Sequence, residues 1–255
     1  MIAFYLASAI PVFAFSLLLA LGVLAGLLWV ARRAPARQAT RLVNASLLVL
    51  LGALIGARAV HVVFYWPYFQ EHGWESLLFF QGGLSWPGAL AGGLLALGIY
   101  AAWSRQSLAI LADALLPLLV ALSVSAWLGC WLDGCAYGPL TSAWWGLPAR
   151  DEWGSVTHRL PVQLLGATLT VGAFWLLERF SANARPGQLA SLGWLSLSLI
   201  MFCLSFLRFD PSPLWRGLRL ETLASLAFIG LALVAFLATR VKSVKNETDL
   251  SPRSN

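Results

Sequence analysis

Seven long apolar segments constrain this chain more than any motif it carries. A helix rises about 1.5 Å per residue, so roughly 20 apolar residues cross a hydrocarbon core that is about 30 Å thick. The apolar residues run continuously, unlike the alternating segments of about ten residues in an outer-membrane barrel. With 59% hydrophobic and 11% charged residues, the sequence predicts an all-α, polytopic membrane protein with about seven transmembrane helices. The predicted spans are residues 8–30, 43–65, 83–103, 108–129, 161–178, 188–207 and 220–239.

The positions of the basic residues predict how the chain crosses the membrane. Lys and Arg in short loops stay on the cytoplasmic side. Eleven of them follow the first, third, fifth and seventh spans, which predicts an N terminus outside and a C terminus in the cytoplasm. We predict one transmembrane domain over residues 1–241 and a disordered cytoplasmic tail over 242–255. The net charge of +6 thus follows from topology and predicts no nucleic-acid partner. The eleven residues are Arg32, Arg33, Arg37, Arg41, Arg105, Arg179, Arg185, Arg240, Lys242, Lys245 and Arg253.

Six further arginines fall on or near the outer side, so the retention of basic residues on the cytoplasmic side does not explain them. A lipid phosphate would explain them, because a guanidinium binds phosphate oxygens through a fork of N–H groups. The alternative is that they reach to lipid headgroups or pair with acidic residues of the chain. The arginines are Arg58, Arg150, Arg159, Arg208, Arg216 and Arg219, and the acidic candidates are Asp113, Asp133, Asp151, Glu152 and Asp210.

Two aromatic-rich segments connect spans on the outer side, at residues 66–82 and 139–160. Aromatic rings are enriched where a membrane meets water, so we predict that both segments lie at the interface. The second is followed by Pro161, which suits the first turn of a helix. That start places Arg159 just outside the span and Gln163 just inside it.

Residues 127–138, of sequence WLGCWLDGCAYG, form the main polar motif. They lie at the end of the fourth span, where an unpaired polar group costs a few kcal/mol, on the order of 3. If the motif is helical, Cys130, Asp133 and Tyr137 share one face of the helix. Its GxxxG spacing also favours close packing of two helices. Asp133 then either orients an arginine or accepts a thiol proton, with a buried salt bridge as the structural alternative.

The cysteines leave two further hypotheses open. In a continuous helix, five residues rise about 7.5 Å along the axis, so the Cα atoms of Cys130 and Cys135 would be at least that far apart, beyond the disulfide limit of about 7 Å. A disulfide therefore requires the helix to end between them. A metal site has little support, because Cys203 is isolated in the sixth span and no pair of histidines matches the cysteines.

Six pieces of sequence follow one another along the chain: 52–58 (GALIGAR) with 62–65 (VVFY), 81–85 (QGGLS), Asp113 with Pro117, the 129–138 part of the motif, 159–163 (RLPVQ) and 206–208 (FLR). In this order they resemble the prolipoprotein diacylglyceryl transferase family across nearly the whole chain. The resemblance implies a multi-pass enzyme of the bacterial cytoplasmic (inner) membrane, with no cofactor. It implies transfer of diacylglyceryl from phosphatidylglycerol to the lipobox cysteine thiol of a prolipoprotein, whose signal peptide is the second partner.

The resemblance also implies which residues form the site. Together with the position of Asp133 in the motif, it leads us to expect that Asp133, Arg159 and Arg208 are catalytic, and the cysteine and histidine spacing leads us to expect no metal. The expected substrate-binding residues are Arg58, Ser85, Gly129, Gly134, Tyr137, Gly138 and Gln163.

The chain departs from the family at positions that carry chemistry. Trp86-Pro87 stands where the family has a histidine, and Trp127 stands where its signature has an arginine. Cys130 and Cys135 resemble a cysteine-containing subset of the family. These departures predict reduced transferase activity, and they keep a second hypothesis open, a non-catalytic paralogue that binds an anionic lipid or lipoprotein. A small-molecule transporter is a third, although the chain shows no internal repeat.

Overall fold

Long helices dominate the structure, a computed structural model that describes residues 3–6, 10–79 and 82–250. Residues 80, 81 and 251–255 lie outside the described ranges, and with them Gln81 and Arg253 of the sequence predictions. Within those ranges the chain forms eight α-helices. They are α1 (Ala14–Arg33), α2 (Ala39–Phe64), α3 (Trp66–Glu71), α4 (Trp86–Ser104), α5 (Leu108–Asp133), α6 (Val162–Arg179), α7 (Gln188–Ser205) and α8 (Leu220–Leu250).

Six helices of the described chain are long and apolar enough to cross a membrane, namely α1, α2, α4, α5, α7 and the part of α8 up to Val241. Their number and hydropathy confirm the prediction of an all-α, multi-pass membrane protein. The predicted span at 161–178 corresponds to α6, which falls outside this set. Gln163 near its start and Glu178 and Arg179 at its end lower its mean hydropathy. Helix α6 nevertheless packs along both α5 and α7.

Both ends of the chain differ from the predicted boundaries. The first predicted span begins at residue 8, whereas α1 begins at Ala14, and residues 8 and 9 lie outside the described ranges. Ile10–Phe13 instead form a strand, β2, paired with β1 at Ala3–Leu6. At the other end, α8 continues to Leu250, so residues 242–250 are helical where a disordered tail was predicted. Residues 242–250 contain no glycine and no proline, so their backbone chemistry does not end the helix before Leu250.

Of the two predicted interfacial segments, 66–82 contains α3 and a 3₁₀ turn at Gly73–Leu77, and 139–160 contains a short hairpin. A second short hairpin lies between α7 and α8. In the 139–160 segment, β3 (Leu147–Arg150) pairs with β4 (Val156–Arg159) in an antiparallel sheet. Between α7 and α8, β5 (Leu214–Trp215) pairs with β6 (Leu218–Arg219). The chain turns there through Arg216 and Gly217, both in the left-handed region with φ of 50° and 81°.

Helices α2 and α4 pack on one another through glycine. A Cβ atom built on Gly56 would lie 2.3 Å from the carbonyl oxygen of Gly88, and one on Gly92 would lie 2.2 Å from that of Gly52. These helices therefore touch backbone to backbone, as small residues allow in a membrane. Elsewhere larger side chains fill the core, including Trp127 of α5, which is buried against Gly166 of α6.

The long helices alternate in direction and bring the cytoplasmic-type basic loops to one end of the bundle. There Arg33 donates through both terminal nitrogens to Glu178, at 2.7 and 2.6 Å. Asp113 accepts hydrogen bonds from the amides of Gly187 and Ala190 at 2.6 and 2.7 Å, so it caps the start of α7. Asp113, one of the candidate partners for the outer arginines, thus lies near the opposite end of α5 from Asp133.

Candidate functional site

The polar motif lies where α5 ends. The helix stops at Asp133 because Gly134 adopts the left-handed conformation, with φ of 82°. A side chain at Gly134 would also place its Cβ 2.6 Å from the carbonyl oxygen of Asp151. The prediction of one helical face is therefore wrong for Tyr137, which lies beyond the helix. The GxxxG spacing does not pack two helices here, because Gly134 and Gly138 both follow the last helical residue.

The end of the helix permits the disulfide that a continuous helix would forbid. Cys130 and Cys135 are bonded, with their Cα atoms 4.7 Å apart. The carbonyl oxygen of Cys130 also accepts hydrogen bonds from the amides of Gly134 and Cys135, at 2.9 and 3.1 Å. Asp133, the last helical residue and the predicted proton acceptor, lies within the loop that the disulfide closes.

Arg159 is buried at the end of β4 and faces three groups. Its Nη2 donates to Oδ2 of Asp151 at 3.2 Å, and its Nη1 donates to the carbonyl oxygen of Gly138 at 3.4 Å. Its guanidinium carbon lies 4.4 Å from the ring centre of Tyr137, a distance at which the ring attracts a cation. Its Nε is buried and has no hydrogen-bond partner among the described residues. Arg159 therefore keeps one donor for a further ligand.

Tyr137 ties the motif to two neighbouring segments. Its hydroxyl donates to Oε2 of Glu152 in the turn between β3 and β4. Its carbonyl oxygen accepts from the amide of Phe209 at 2.7 Å. Burial, together with the hydrogen bond and charge of Glu152, raises the pKa of the Tyr137 phenol to about 12. The side chain therefore stays neutral at physiological pH and acts as a donor.

Gln163 joins the start of α6 to the same motif. It is fully buried, and its Nε2 donates to the carbonyl oxygen of Cys135 at 2.8 Å. Its Oε1 is buried without a hydrogen-bond partner among the described residues. Two of the predicted glycines serve close packing: Gly138 approaches the carbonyl oxygen of Leu160, and Gly129 packs on the ring of Phe15.

Arg208 belongs to a network of two cations and two carboxylates between α7 and α8. Its Nε and Nη2 bind both oxygens of Asp210, at 2.9 and 2.6 Å, and its Nη1 binds Glu221 at 2.5 Å. Arg219 adds a contact to Asp210 at 3.3 Å and donates to two main-chain oxygens. Burial alone would lower the pKa of Arg208, but the two carboxylates outweigh it and raise that pKa. Arg208 is therefore a permanent cation with matched partners.

Arg58 and Ser85 lie on the α2–α4 pair. Arg58 is buried and donates to main-chain oxygens of the connection between α3 and α4, including those of Ser76 at 3.0 Å and Gly82 at 2.8 Å. Most of its N–H groups thus hold a loop in place. Ser85 precedes α4, donates its amide to Ala57 at 3.1 Å, and keeps a buried hydroxyl with no described partner.

The structure brings the predicted residues into three groups at one end of the bundle, one of which is Arg58 and Ser85 on the α2–α4 pair. Asp133, Tyr137, Gly138, Arg159 and Gln163 meet around the end of α5, and the amide of Phe209 links that group to the Arg208 network. The acidic pairing considered for the arginines is present for Arg159 and Arg208. Sequence reasoning missed Glu221, although an acid in the first turn of α8 next to an outer arginine was a usable signal.

Comparisons with known proteins agree with this architecture. A family model described as prolipoprotein diacylglyceryl transferase matches residues 1–238. A phosphatidylglycerol–prolipoprotein diacylglyceryl transferase from Gloeobacter violaceus is 32% identical over 246 residues, which cover 91% of this chain and 90% of the relative. One from Thermosynechococcus vestitus is 29% identical and covers 85% of this chain and 84% of its own length. A third, named transferase 2, from Clostridium perfringens is 25% identical over 79% of this chain and 81% of the relative. With a family model matched over almost the whole chain and a relative of this identity, the protein belongs to the prolipoprotein diacylglyceryl transferase family.

Proposed function

We propose that this protein transfers the diacylglyceryl group of phosphatidylglycerol to the lipobox cysteine thiol of a prolipoprotein. The sulfur forms a thioether bond to the glycerol carbon, the bond from that carbon to the phosphate oxygen breaks, and glycerol phosphate leaves. The thiol proton is taken up by a base of the site. The names of the relatives support both substrates.

One observation carries the proposal: the hydrogen bond from the Phe209 amide to the Tyr137 carbonyl, at 2.7 Å. It joins the segment that contacts Arg159 and Gln163 to the segment that carries Arg208. Two guanidinium groups from distant parts of the sequence are thereby held near the same end of the bundle. Such groups stabilise the charge that develops on a leaving phosphate.

The contacts favour different roles for the two arginines. Arg159 retains a buried Nε without a described partner, so it can bind a phosphate oxygen without losing a contact. Arg208 already binds Asp210 and Glu221, so it supplies positive charge from a fixed position. Asp133 at the end of α5 is the candidate acceptor of the thiol proton, since an ordinary thiol has a pKa of about 8.5 and needs a base.

We place the protein in the bacterial inner membrane, with its N terminus outside and its site on the outer side. The separation of the basic loops from the site arginines supports this orientation. A prolipoprotein signal peptide and phosphatidylglycerol are both available at that depth.

Complementation of a transferase-depleted bacterium tests the function. The wild-type chain should restore lipidation of a reporter prolipoprotein. Asp133→Asn and Arg159→Ala should each abolish it, with lipidation expressed per amount of the variant found in the membrane. Arg208→Ala should abolish it on the same scale, although loss of its ion pairs also lowers the stability of that variant. Arg216→Ala is the matched control, because Arg216 is exposed and stacks on Trp215. Full lipidation by Asp133→Asn and Arg208→Ala would leave the transferase function standing with its residues misassigned.

A specific observation also supports the non-catalytic paralogue. Trp127 stands where the family signature has an arginine. Its side chain is only 4% exposed, and its ring packs directly on Gly166. No cation can occupy that position while the ring is there. If the wild-type chain fails to complement yet copurifies with phosphatidylglycerol in preference to phosphatidylethanolamine, and the double variant Arg159→Ala with Arg208→Ala loses the preference, the protein is a lipid-binding paralogue.

A further inference from the structure

Residues 135–138 bind three different parts of the site in succession. The carbonyl oxygen of Cys135 accepts from Gln163 at 2.8 Å. The carbonyl oxygen of Tyr137 accepts from the amide of Phe209 at 2.7 Å. The carbonyl oxygen of Gly138 accepts from Arg159 at 3.4 Å. The path of this short segment therefore decides where three site elements lie relative to one another.

The disulfide between Cys130 and Cys135 controls the direction in which that segment leaves the helix. Cys130 lies in the last turn of α5, and Cys135 is the second residue after the helix. Continuing the helix would move their Cα atoms to at least about 7.5 Å apart, compared with 4.7 Å in the structure. A closed bridge and a continued helix are thus mutually exclusive. The bond ensures that the chain turns at Gly134 and nowhere later.

We propose that the Cys130–Cys135 disulfide is a positioning element for diacylglyceryl transfer, holding residues 135–138 so that Gln163 and Arg159 meet the substrate in a fixed geometry. This inference rests on the proposed function. The motif lies at the end of the bundle opposite the basic loops, which in the proposed orientation is the outer, oxidising side. Displacements of about 1 Å at a reacting site lower a rate by as much as 100-fold, so loss of this constraint has a large kinetic effect.

The test uses the full-length protein in lipid with Cys203→Ser as the parent, so that only the bonded pair responds to a thiol reagent. A dithiol reductant delivers two electrons and two protons to the bridge, yielding two thiols and its own cyclic disulfide. In the parent we expect reduction to lower the rate of reporter lipidation by about 10- to 100-fold, and reoxidation to restore it. The triple variant Cys130→Ser, Cys135→Ser, Cys203→Ser should be slow in both conditions.

Two further measurements separate positioning from simple stabilisation. Rates are compared at a temperature well below the unfolding midpoint of every form, where a bond that only stabilises would leave the rate unchanged. Hydrogen exchange is followed at the amides of Leu160 and Phe209, which donate to Pro139 and Tyr137. Both should lose protection on reduction, while the amide of Gly187 at the other end of the bundle should not.

Several outcomes would overturn the proposal. An unchanged rate with a lowered unfolding midpoint would make the bond a stabilising crosslink only. Alkylation of Cys130 or Cys135 in protein kept from reductants would show that the bond is absent. A parent with no lipidation activity would refute the transferase function instead. The exchange comparison would then still decide whether the bond fixes residues 135–138.

Discussion

Arg208 is the most heavily paired side chain at the outer end of the helices. Asp210 binds it through two parallel hydrogen bonds and Glu221 through a third, with all three side chains largely removed from solvent. Removing one member of a buried ionic group is costly, because the remaining charges lose their partner. The network therefore fixes the start of α8 against the end of α7, in addition to any role in catalysis.

We expect Arg208→Ala to lower the free energy of unfolding by about 3–5 kcal/mol, the usual cost of breaking a buried pair. Thermal unfolding in detergent micelles measures the change. Arg208→Ala combined with Glu221→Gln should recover part of the loss, because the uncompensated carboxylate is gone. Arg216→Ala should leave the midpoint unchanged, and an equal loss in that control would refute the pairing argument.

Tyr137 provides a spectroscopic test of the motif geometry. Its neutral form is favoured in the folded protein, which raises the pKa to about 12. Because folding raises the pKa of this acid, the phenol's contribution to the free energy of unfolding is complete below its ordinary pKa of about 10. That contribution is lost as the pH rises toward 12. The difference between the ultraviolet titrations of wild type and Tyr137→Phe should therefore show a phenol with its midpoint near 12. A midpoint near 10 would contradict the contact with Glu152.

At the level of elements, the helices were predictable and the turns between them were not. Continuous apolar runs define α2, α5 and α7 because hydrophobic length alone decides which segments cross a lipid core. The end of α5 depends on Gly134, whose spacing with Gly138 suggested helix packing but whose conformation ends the helix. The hairpin β3–β4 depends on contacts with α5 that sequence patterns do not contain. For the same reason, the Cys130–Cys135 bond could not be predicted from the sequence, because it forms only if the helix ends between the two cysteines.

Glycines bring helices α2 and α4 into close contact, whereas Gly134 and Gly138 of the GxxxG spacing do not pack two helices. We expect Gly56→Ala to separate these helices and lower the unfolding midpoint, because its Cβ would lie 2.3 Å from a backbone oxygen that cannot rotate away. Gly98→Ala on α4 is the control, since a Cβ there meets nothing within 4 Å. It should leave stability unchanged or increase it slightly, because alanine favours a helix. Equal effects of the two substitutions would contradict the close approach.

For the molecule as a whole, orientation follows from charge. A reporter fused after Arg37 or after Lys245 should read cytoplasmic, and one inserted at Gly146 between α5 and α6 should read external. The physical reason is the retention of short basic loops on the cytoplasmic side. An internal reading at Gly146 would place the arginines and the disulfide on the reducing side and would exclude the proposed reaction there.

The glycine contact between α2 and α4 has a consequence for how the site is assembled. These two helices form a closely packed pair that carries Arg58 and Ser85, whereas Arg159 and Arg208 belong to segments joined to the other helices. The ring of Trp86 on α4 contacts the ring of Phe228 on α8, with centres 5.9 Å apart. A change in tilt between the two groups of helices would change the distance from Arg58 to Arg159 and Arg208 without breaking a helical hydrogen bond. We therefore expect lipid binding at the three arginines to depend on the relative tilt of the two groups of helices. Because bilayer thickness influences helix tilt, we expect it to influence lipid binding as well.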